Sequence, residues 1–344
     1  MTDPSRTALQ RVSPAAALPA VLEELGIDPR PVFAGLSFGP RDLVSGARVP
    51  FSQALAMMAR ASALTGQAEL GVRVGARNDH RCLGLVGELM ASAPTVGQAL
   101  ADYVSMQGGM SQAACSYLIP MGECTALGFG IYDRQAPGAD QIYGLAMGAG
   151  ANMIRSLSGG AVMPLEVHFS FRPPPTPSLF EALLRTEVRF NQPQTCLLLR
   201  RVDLSAPCPT FDPARREHLL ATLSATLGLS ALSTTERLRH VLRPALSLSE
   251  TSLDAIARRL HTSPRSLDRR LAAEGTSFAR ERDAVRFVMA SELLALTELS
   301  IGEISAALSY STQSAFVRSF RRWSGMAPSR WRSGRPIPQA QAEP

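Results

Sequence analysis

Two helix-turn-helix patterns stand in tandem in the last third of the chain, at residues 252–275 and 300–325. Each has a short amphipathic helix, a turn of three or four residues, and a second helix that opens on a capping residue and carries arginines. A single helix, predicted over 278–296, joins them and would be about 28 Å long. That length approaches the ~34 Å between successive major-groove faces of B-DNA. One pattern alone is also typical of ordinary amphipathic helices, whereas two in tandem favour a protein that reads DNA.

The positive charge of the chain is concentrated in this region. The formal net charge is +6, and residues 251–335 contain 14 arginines against 8 acidic residues, whereas the remaining residues contain 21 of each. All 35 basic residues are arginine, whose planar guanidinium makes bidentate hydrogen bonds with phosphate and with guanine. The distribution predicts a polyanion-binding module joined to an electrically neutral partner domain.

The rest of the sequence predicts a second kind of domain. With 344 residues, 45% of them hydrophobic, the chain is long and apolar enough for two domains. Helical and alternating segments mix over 1–205, which predicts an α+β domain. A proline-containing connector with one helix is predicted over 206–232. The all-α double helix-turn-helix domain is predicted over 233–335, and the tail over 336–344 is expected to be disordered.

Periodicity and capping residues place the elements of the first domain. We expect helices over 18–25, 52–64, 95–107, 139–157, 178–185 and 214–227, and strands over 112–119, 124–132, 165–171, 187–190 and 195–200.

The second helix of the first pattern has a clear inner and outer face. Ser263 is the predicted N-cap, and Pro264 occupies the first turn, where a missing N–H costs nothing. Leu267 and Leu271 are four residues apart and should face the core. The residues predicted to face a DNA groove are Arg265, Ser266, Asp268 and Arg269.

The second pattern has the same arrangement. Ser311 or Thr312 is the predicted N-cap, and Phe316 and Phe320 should face inward. Gln, Ser and Arg side chains can read base edges, while arginines further along the helix suit phosphates. The predicted DNA-contacting residues of this helix are Gln313, Ser314, Val317, Arg318, Arg321 and Arg322.

Two stretches of this region also carry a family resemblance. SPRSLDRRLAAEGTSF at 263–278 and ALSYSTQSAFVRSFRRWSGMAPSRWR at 307–332 resemble the DNA-binding domain of the AraC/XylS family of bacterial transcription regulators. The resemblance covers 233–332 and implies that the residues named above lie at groove-facing positions. One departure is Ser309, where the family usually has glycine. If φ is positive there, Ser309→Gly is predicted to stabilise the domain by up to about 1 kcal/mol.

The N-terminal half resembles the sensor domain of a subgroup that includes ornithine-utilisation-type regulators. The residues that carry this resemblance are RVPFSQALAMMARASALTG, GLVGELMASAPTVGQAL and PLEVHFSFRPP. It implies a domain that binds a small-molecule effector or mediates homodimerisation. The partners expected for such a protein are double-stranded promoter DNA, the effector and RNA polymerase. The residues that would hold an effector are not predicted.

Patterns for an enzyme are weak. Residues 35–39 match the nucleophile-elbow motif G-x-S-x-G, but Pro40 follows where a helix should begin, so a turn is expected. The glycines within 144–150 lack the preceding strand of a dinucleotide-binding motif. Arg155 and His168 are single polar residues that are either satisfied structural groups or effector ligands. We therefore expect no catalytic residues, and an enzyme with a DNA-binding tail is the least favoured alternative.

The five cysteines are odd in number and widely spaced, and the histidines do not cluster near them, so neither a metal site nor a disulfide framework nor a cofactor is predicted. Pro14 and Pro19 interrupt the Ala-rich N-terminal stretch, which argues against a signal peptide. No apolar run of about 18 residues is present, which predicts no membrane span and a cytoplasmic location. The remaining alternative is an effector-independent DNA-binding protein whose N-terminal domain only oligomerises.

Overall fold

The chain forms two compact units. The computed structural model describes residues 8–43, 47–106, 111, 113–131, 137–226, 233–247, 251–260 and 262–333. Unit 1 comprises Met1–Phe169, Pro173–Arg189 and Gln194–Ala231, and unit 2 comprises Ser170–Arg172, Phe190–Pro193 and Leu232–Pro344. The described part of the segment predicted as a connector, residues 206–226, thus falls in unit 1. The predicted tail over 336–344 lies outside the described residues.

Unit 1 mixes helices with a sheet, and unit 2 is helical around the two helix-turn-helix patterns, which confirms the predicted fold class. The helices of unit 1 are α1 (Leu18–Glu24), α2 (Phe51–Thr65), α3 (Leu70–Gly75), α4 (Leu85–Ala91), α5 (Val96–Met106), α6 (Ala139–Leu157), α7 (Pro177–Leu184) and α8 (Pro213–Thr226). Its strands are β1 (Leu9–Arg11), β2 (Arg48–Pro50), β3 (Ala114–Met121), β4 (Cys124–Ile131), β5 (Glu166–His168), β6 (Glu187–Arg189) and β7 (Thr195–Arg200).

The strands of unit 1 form two sheets. β1 and β2 pair antiparallel, and the larger sheet has the order β3-β4-β7-β5-β6, in which only β5 and β6 are parallel. The predicted hairpin is β3–β4, and Pro120 fits in β3 because that strand lies at the edge of the sheet. The strand predicted over 165–171 is shorter, since only Glu166–His168 pair with β6 and β7.

Helix α2 begins one residue earlier than predicted. Its first residue is Phe51 and its N-cap is Pro50, whose side chain accepts no hydrogen bond, so Ser52 lies inside the helix instead of capping it. The helix ends, as expected, at a left-handed Gly66 with φ of +64°.

Glycines of α3 allow this helix to pack closely against α6. A Cβ on Gly71 of α3 would lie 2.1 Å from the Gln141 carbonyl oxygen of α6, and one on Gly75 would lie 2.2 Å from the Leu145 carbonyl oxygen. The Gln141 side chain bridges the same contact, because its Oε1 accepts a hydrogen bond from the Gly71 N–H at 2.9 Å. The two helices therefore touch through their backbones, which only glycine permits.

Helix α8 is held on unit 1 by apolar and charged contacts. Leu219 and Leu223 are buried. Arg216 donates to the Asp102 carboxylate of α5, with Nη2 to Oδ1 at 2.9 Å, and both side chains are largely buried. The preceding residue, Arg215, pairs with Glu88 of α4 at 2.9 Å, but there both side chains are about half exposed.

Unit 2 consists of seven helices among its described residues. They are α9 (Thr234–Ser247), α10 (Leu253–Arg259), α11 (Pro264–Ala273), α12 (Phe278–Leu296), α13 (Ile301–Ala307), α14 (Gln313–Ser324) and α15 (Pro328–Ser333). Six of these helices follow a Ser or Thr whose hydroxyl accepts a backbone N–H three residues on, and the sequence predicted the caps of α11 and α14. These N-caps are Ser233, Ser252, Ser263, Ser277, Ser300 and Thr312.

A single apolar core lies beneath α9 to α14. It includes the residues predicted to face inward on the second helix of each pattern, all fully buried: Leu267, Leu271, Phe316 and Phe320. The longest helix, α12, contributes most to this core, and α10, α11, α13 and α14 all belong to it. The two helix-turn-helix units are thus halves of one packed domain.

The turn between α13 and α14 contains a left-handed serine. Ser309 has φ of +58°, as the sequence hypothesis required. Its Oγ donates a hydrogen bond to the Leu246 carbonyl oxygen near the end of α9, and its own carbonyl accepts one from Arg286 at 3.3 Å. The predicted gain from Ser309→Gly neglected the first of these bonds, which glycine cannot make.

The pair Arg215 and Arg216 gives a matched test of how α8 is held. Arg216→Ala should destabilise unit 1 by about 3 kcal/mol, because it leaves the Asp102 carboxylate buried without its guanidinium. Arg215→Ala removes the same charge from a solvated pair and should cost about 0–1 kcal/mol. Urea unfolding followed by far-ultraviolet circular dichroism measures both. Equal effects would contradict a structural role for the Arg216 pair.

Ser309→Ala should destabilise unit 2 by about 1–2 kcal/mol, because it keeps the left-handed strain and loses the hydrogen bond to α9. Ser309→Gly relieves the strain and should cost less, about 0–1 kcal/mol. Both tryptophans of the chain, Trp323 and Trp331, lie in unit 2, so their fluorescence during urea unfolding reports this unit. A gain in stability from Ser309→Gly would show that the hydrogen bond contributes less than the strain.

Candidate functional site

Helix α11 presents a charged outer face. Its N-cap, Ser263, accepts a hydrogen bond from the Ser266 N–H at 3.2 Å and donates one to the Ser266 hydroxyl at 2.9 Å, so Ser266 is engaged in the cap. Arg265, Asp268 and Arg269 are exposed, and none of the three has a side-chain partner among the described residues. The side chains of both arginines are therefore available to an external anion.

Helix α14 repeats this arrangement with a more polar start. Thr312 caps it by accepting the Ala315 N–H at 3.2 Å. The exposed predicted residues are Gln313, Ser314, Arg318, Arg321 and Arg322. Val317 differs, because it is only partly exposed and packs against the core.

Arg269 and Arg318 occupy equivalent positions in the two helices. Each lies midway between two fully buried residues, Leu267 and Leu271 in α11, and Phe316 and Phe320 in α14. At about 100° per residue, the midpoint of an i, i+4 pair points directly away from the side that the pair buries. These two guanidinium groups are therefore the most outward-directed side chains of their helices.

Arg322 is the predicted residue whose surroundings differ most from the expectation. Its Nη2 lies 2.8 Å from the Asp283 carboxylate of α12, which also accepts a hydrogen bond from the Trp323 indole N–H at 3.2 Å. The Arg322 side chain keeps 65% of its exposure, so it is anchored but remains at the surface. Its pairing could not be read from the sequence, because Asp283 lies 39 residues away in the chain.

Sequence reasoning also missed a supporting arginine in α12. Arg286 stacks on the Tyr310 ring, with its guanidinium carbon 4.5 Å from the ring centroid, and donates to the Ser309 carbonyl. Burial lowers the pKa of Arg286, whereas the adjacent Tyr310 and Asp283 counter this effect. The stacked pair holds the turn that precedes α14. The signal available in the sequence was the spacing of four residues between Arg282 and Arg286, which puts both arginines on one face of a helix. Arg282 itself lies over the Phe278 ring.

The features that could have indicated other functions have structural roles. Ser37 of the G-x-S-x-G motif is exposed between two 3₁₀ turns, and it donates through its hydroxyl and its N–H to Gln53. His168 lies 2.9 Å from the Glu166 carboxylate, and Arg155 donates to Asn152. Across the described part of the chain, no group of His, Cys, Asp and Glu could hold a metal ion. Among those residues, too, no helix is long and apolar enough to cross a membrane.

Unit 1 contains an apolar cavity of about 100 Å³ that the sequence did not predict. It lies between α2, α6 and the strands, and methionine, phenylalanine and leucine side chains form much of its wall. The residues that bring polar atoms to the cavity are Gln10, Arg11, Asp79, Cys82, Tyr103 and Ser116. This is the kind of enclosed, mainly apolar space with a few polar groups that small molecules occupy.

Comparison with known protein families gives two matches. Residues 26–208 match the family described as the arabinose-binding domain of AraC transcription regulator, N-terminal, and residues 256–334 match a helix-turn-helix domain family. The first match covers most of unit 1, and the second contains α11 and α14.

Individual proteins are similar to the chain over most of its length. The chain is 29% identical over 343 residues to the ornithine utilization regulator of Pseudomonas aeruginosa, across 93% of this chain and 95% of that protein. It is 26% identical to the HTH-type transcriptional regulator VirS of Mycobacterium tuberculosis, across 91% and 93% of the two chains. The crystal structure of the transcriptional regulator CdpR from Pseudomonas aeruginosa aligns with 79% of this chain and 89% of its own, at 23% identity and a TM-score of 0.42.

The Arg322–Asp283 pair predicts a measurable change in salt dependence. Asp283→Asn weakens the hold on Arg322 and should make a phosphate contact available, so log K for non-specific duplex DNA should fall with log salt more steeply by about 0.9. Glu217→Gln, an exposed position on α8 in unit 1, changes the net charge equally and should leave the slope unaltered. Fluorescence anisotropy across a salt series measures both. An unchanged slope in Asp283→Asn would show that Arg322 does not contact phosphate.

Proposed function

The chain belongs to the AraC family of transcription regulators, and we propose that it reads promoter DNA with α11 and α14 while a small molecule in unit 1 controls its occupancy of that DNA. The family matches span both units and support a DNA-binding regulator that carries an effector-type domain. Experiments on the full chain test which residues contact DNA and whether a ligand controls its occupancy of DNA.

One observation carries the proposal. Two helices with the same cap chemistry each direct an arginine away from a fully buried i, i+4 pair, and both belong to one apolar core. An exposed arginine on the second helix of a helix-turn-helix is placed to donate two hydrogen bonds to guanine in the major groove. Arg269 and Arg318 therefore have the role of base reading in each half of the binding site.

The neighbouring residues have supporting roles in the proposal. Arg265, Gln313 and Ser314 lie in the first turn of their helices, where side chains reach base edges. Asp268 can accept a hydrogen bond from cytosine, and Val317 can contact a thymine methyl group with the part of its side chain that the core leaves exposed. Ser266 is occupied by its cap, which assigns it a positioning role. Arg321 and Arg322 are placed for phosphates, which fix orientation without reading sequence.

The cavity in unit 1 supports control by a ligand over the alternative of a domain that only oligomerises. A protein that needed unit 1 solely for self-association would have no use for an apolar cavity in which two buried polar atoms, Gln10 Oε1 and Arg11 Nε, lack partners among the described residues. In the proposed mechanism, the DNA-bound regulator also contacts RNA polymerase, and two copies of the chain form a homodimer through unit 1.

Arg269→Ala and Arg318→Ala should each lower the specificity ratio, the affinity for a selected site relative to a scrambled one, by about 1–3 kcal/mol. The selected site comes from a random duplex library enriched on the full-length protein. Sequencing of sites re-enriched on each variant should show relaxed preference at one or two base pairs, different for the two variants.

Arg270→Ala is the matched control, since Arg270 is exposed on the same helix but is rotated about 100° from Arg269. It removes the same charge and should weaken both sites equally, leaving the specificity ratio within about twofold. The assignment fails if Arg269→Ala and Arg318→Ala keep the wild-type ratio, or if Arg270→Ala lowers it as much.

A further inference from the structure

Arg11 brings a charged group to the cavity of unit 1 without a partner for it. Arg11 belongs to β1 and lines the cavity, and its Nε atom is buried with no hydrogen-bond acceptor among the residues that the structure describes. A buried guanidinium N–H that lacks an acceptor loses its hydration without compensation. An anion in the cavity would supply the missing acceptor.

A second arginine strengthens this demand for an anion. Arg48 of β2 is the direct antiparallel partner of Arg11 in the β1–β2 ladder. Like charges directly across two strands repel each other. Burial and this neighbouring charge both lower the pKa of Arg11. A bound anion would offset both effects.

The acidic residue of the cavity is already occupied. Both Asp79 carboxylate oxygens accept hydrogen bonds from the Arg81 side chain, at 2.6–3.0 Å, and Asp79 Oδ1 also accepts the Arg81 N–H at 2.9 Å. Asp79 is therefore satisfied without a ligand and does not call for a cationic group. This favours a plain anion over a zwitterion or an amine.

Tyr103 offers a second donor to the cavity. The Ser116 hydroxyl donates to the Tyr103 oxygen at 3.0 Å, which leaves the Tyr103 O–H directed to another acceptor. Burial raises the pKa of Tyr103, so the hydroxyl keeps its proton. Gln10 Oε1, in contrast, is a buried acceptor that has no donor among the described residues, and a hydroxyl group on a ligand could satisfy it.

The remaining wall selects an apolar body. Phe51, Met57, Met58, Phe129 and Met153 all line the cavity. Because an apolar cavity of about 150 Å³ holds a benzene ring, one of about 100 Å³ has room for about four carbon atoms as it stands. Flexible methionine side chains let such a pocket adjust to a somewhat larger ligand, of up to about six carbon atoms.

We propose that this cavity binds a small monocarboxylate with an apolar body of about four to six carbons, whose carboxylate accepts hydrogen bonds from Arg11 and Tyr103. The ligand would be the effector of the proposed function, so the inference rests on that function and names its ligand class. The ligand binds without any chemical reaction. Its apolar body displaces water from the cavity wall that methionine and phenylalanine side chains form.

Calorimetric titration of the full-length chain without DNA tests the ligand class. The probes are hexanoate, hexan-1-ol, hexylamine, norleucine and acetate, which separate the carboxylate, the amine and the apolar body. Hexanoate should bind at least about tenfold more tightly than each of the others, because only hexanoate combines a carboxylate, without an amine, with an apolar body of about five carbons. Tighter binding of norleucine, hexylamine or hexan-1-ol overturns the proposal, as does the absence of hexanoate binding.

Variants of Arg11 test where the carboxylate of the ligand binds. Arg11→Gln should weaken hexanoate by at least about tenfold and leave hexan-1-ol unchanged, whereas Arg11→Lys should keep a preference for hexanoate. Arg41→Gln is the matched control, an exposed arginine of unit 1 that does not line the cavity, and it should bind hexanoate like the wild type. Equal loss in Arg41→Gln, or no loss in Arg11→Gln, overturns the assignment of Arg11. The comparison of the five probes on the wild type stands even if Arg11→Gln fails to fold.

Measuring the DNA affinity of the full-length chain with and without each probe, beside the titration, separates this inference from the proposed function. If hexanoate binds through Arg11 while the DNA affinity is the same with and without it, the ligand class stands and control by that ligand fails. If hexan-1-ol changes the DNA affinity and hexanoate does not bind, control by a ligand stands and the carboxylate class fails.

Discussion

The burial of α12 is the constraint on which unit 2 depends. This helix brings two carboxylates inside together with its apolar face. Glu292 meets Arg243 of α9 at 2.8 Å with both side chains less than a tenth exposed, and the buried Glu281 meets Arg239 of α9. Because an unpaired buried charge is costly, α12 is seated only in the rotation that meets both arginines.

That rotation sets the place of α11 and α14. On its other side, α12 holds the second helix-turn-helix unit through Phe287. Its ring packs tilted against Phe320 and edge-on against Trp323 and Trp331, with ring centroids 5.5–6.0 Å apart. The first unit is tied to α9 by Glu274, which follows α11. Burial alone would raise the pKa of Glu274, but hydrogen bonds from Thr235 and Thr234 hold it at about 2. The helix caps and the shared core thus hold α11 and α14 in one packed domain.

Much of unit 2 could be predicted, because its helices are specified by local chemistry. The caps at Ser263 and Thr312 and the i, i+4 pairs that they precede are visible within four to eight residues of sequence. The exposure of Arg269 and Arg318 follows from the same spacing. Their contacts with DNA stay a prediction, since exposure permits a contact without demonstrating one.

What the sequence did not predict depends on residues that are distant along the chain. The Arg322–Asp283 pair, the hydrogen bond from Ser309 to α9 and the short strand β5 all depend on where a second segment lies. The cavity of unit 1 is the extreme case, since β1, α2, α5, β3 and α6 all contribute to its wall. Periodicity identifies which residues are buried, but it cannot show where packing leaves a space.

Thermodynamic linkage limits how far a ligand in that cavity can change the DNA affinity. A ligand shifts DNA occupancy only by the difference between its affinities for the DNA-bound and the free protein, however tightly it binds. The same factor must then appear when DNA is used to change the affinity for the ligand. The repulsion between Arg11 and Arg48 across the β1–β2 ladder suits such a device, because a carboxylate bound to Arg11 would offset that repulsion and change the stability of that small sheet. For this sheet to couple the ligand to DNA binding, the ordering of β1 and β2 must differ between the free and the DNA-bound protein.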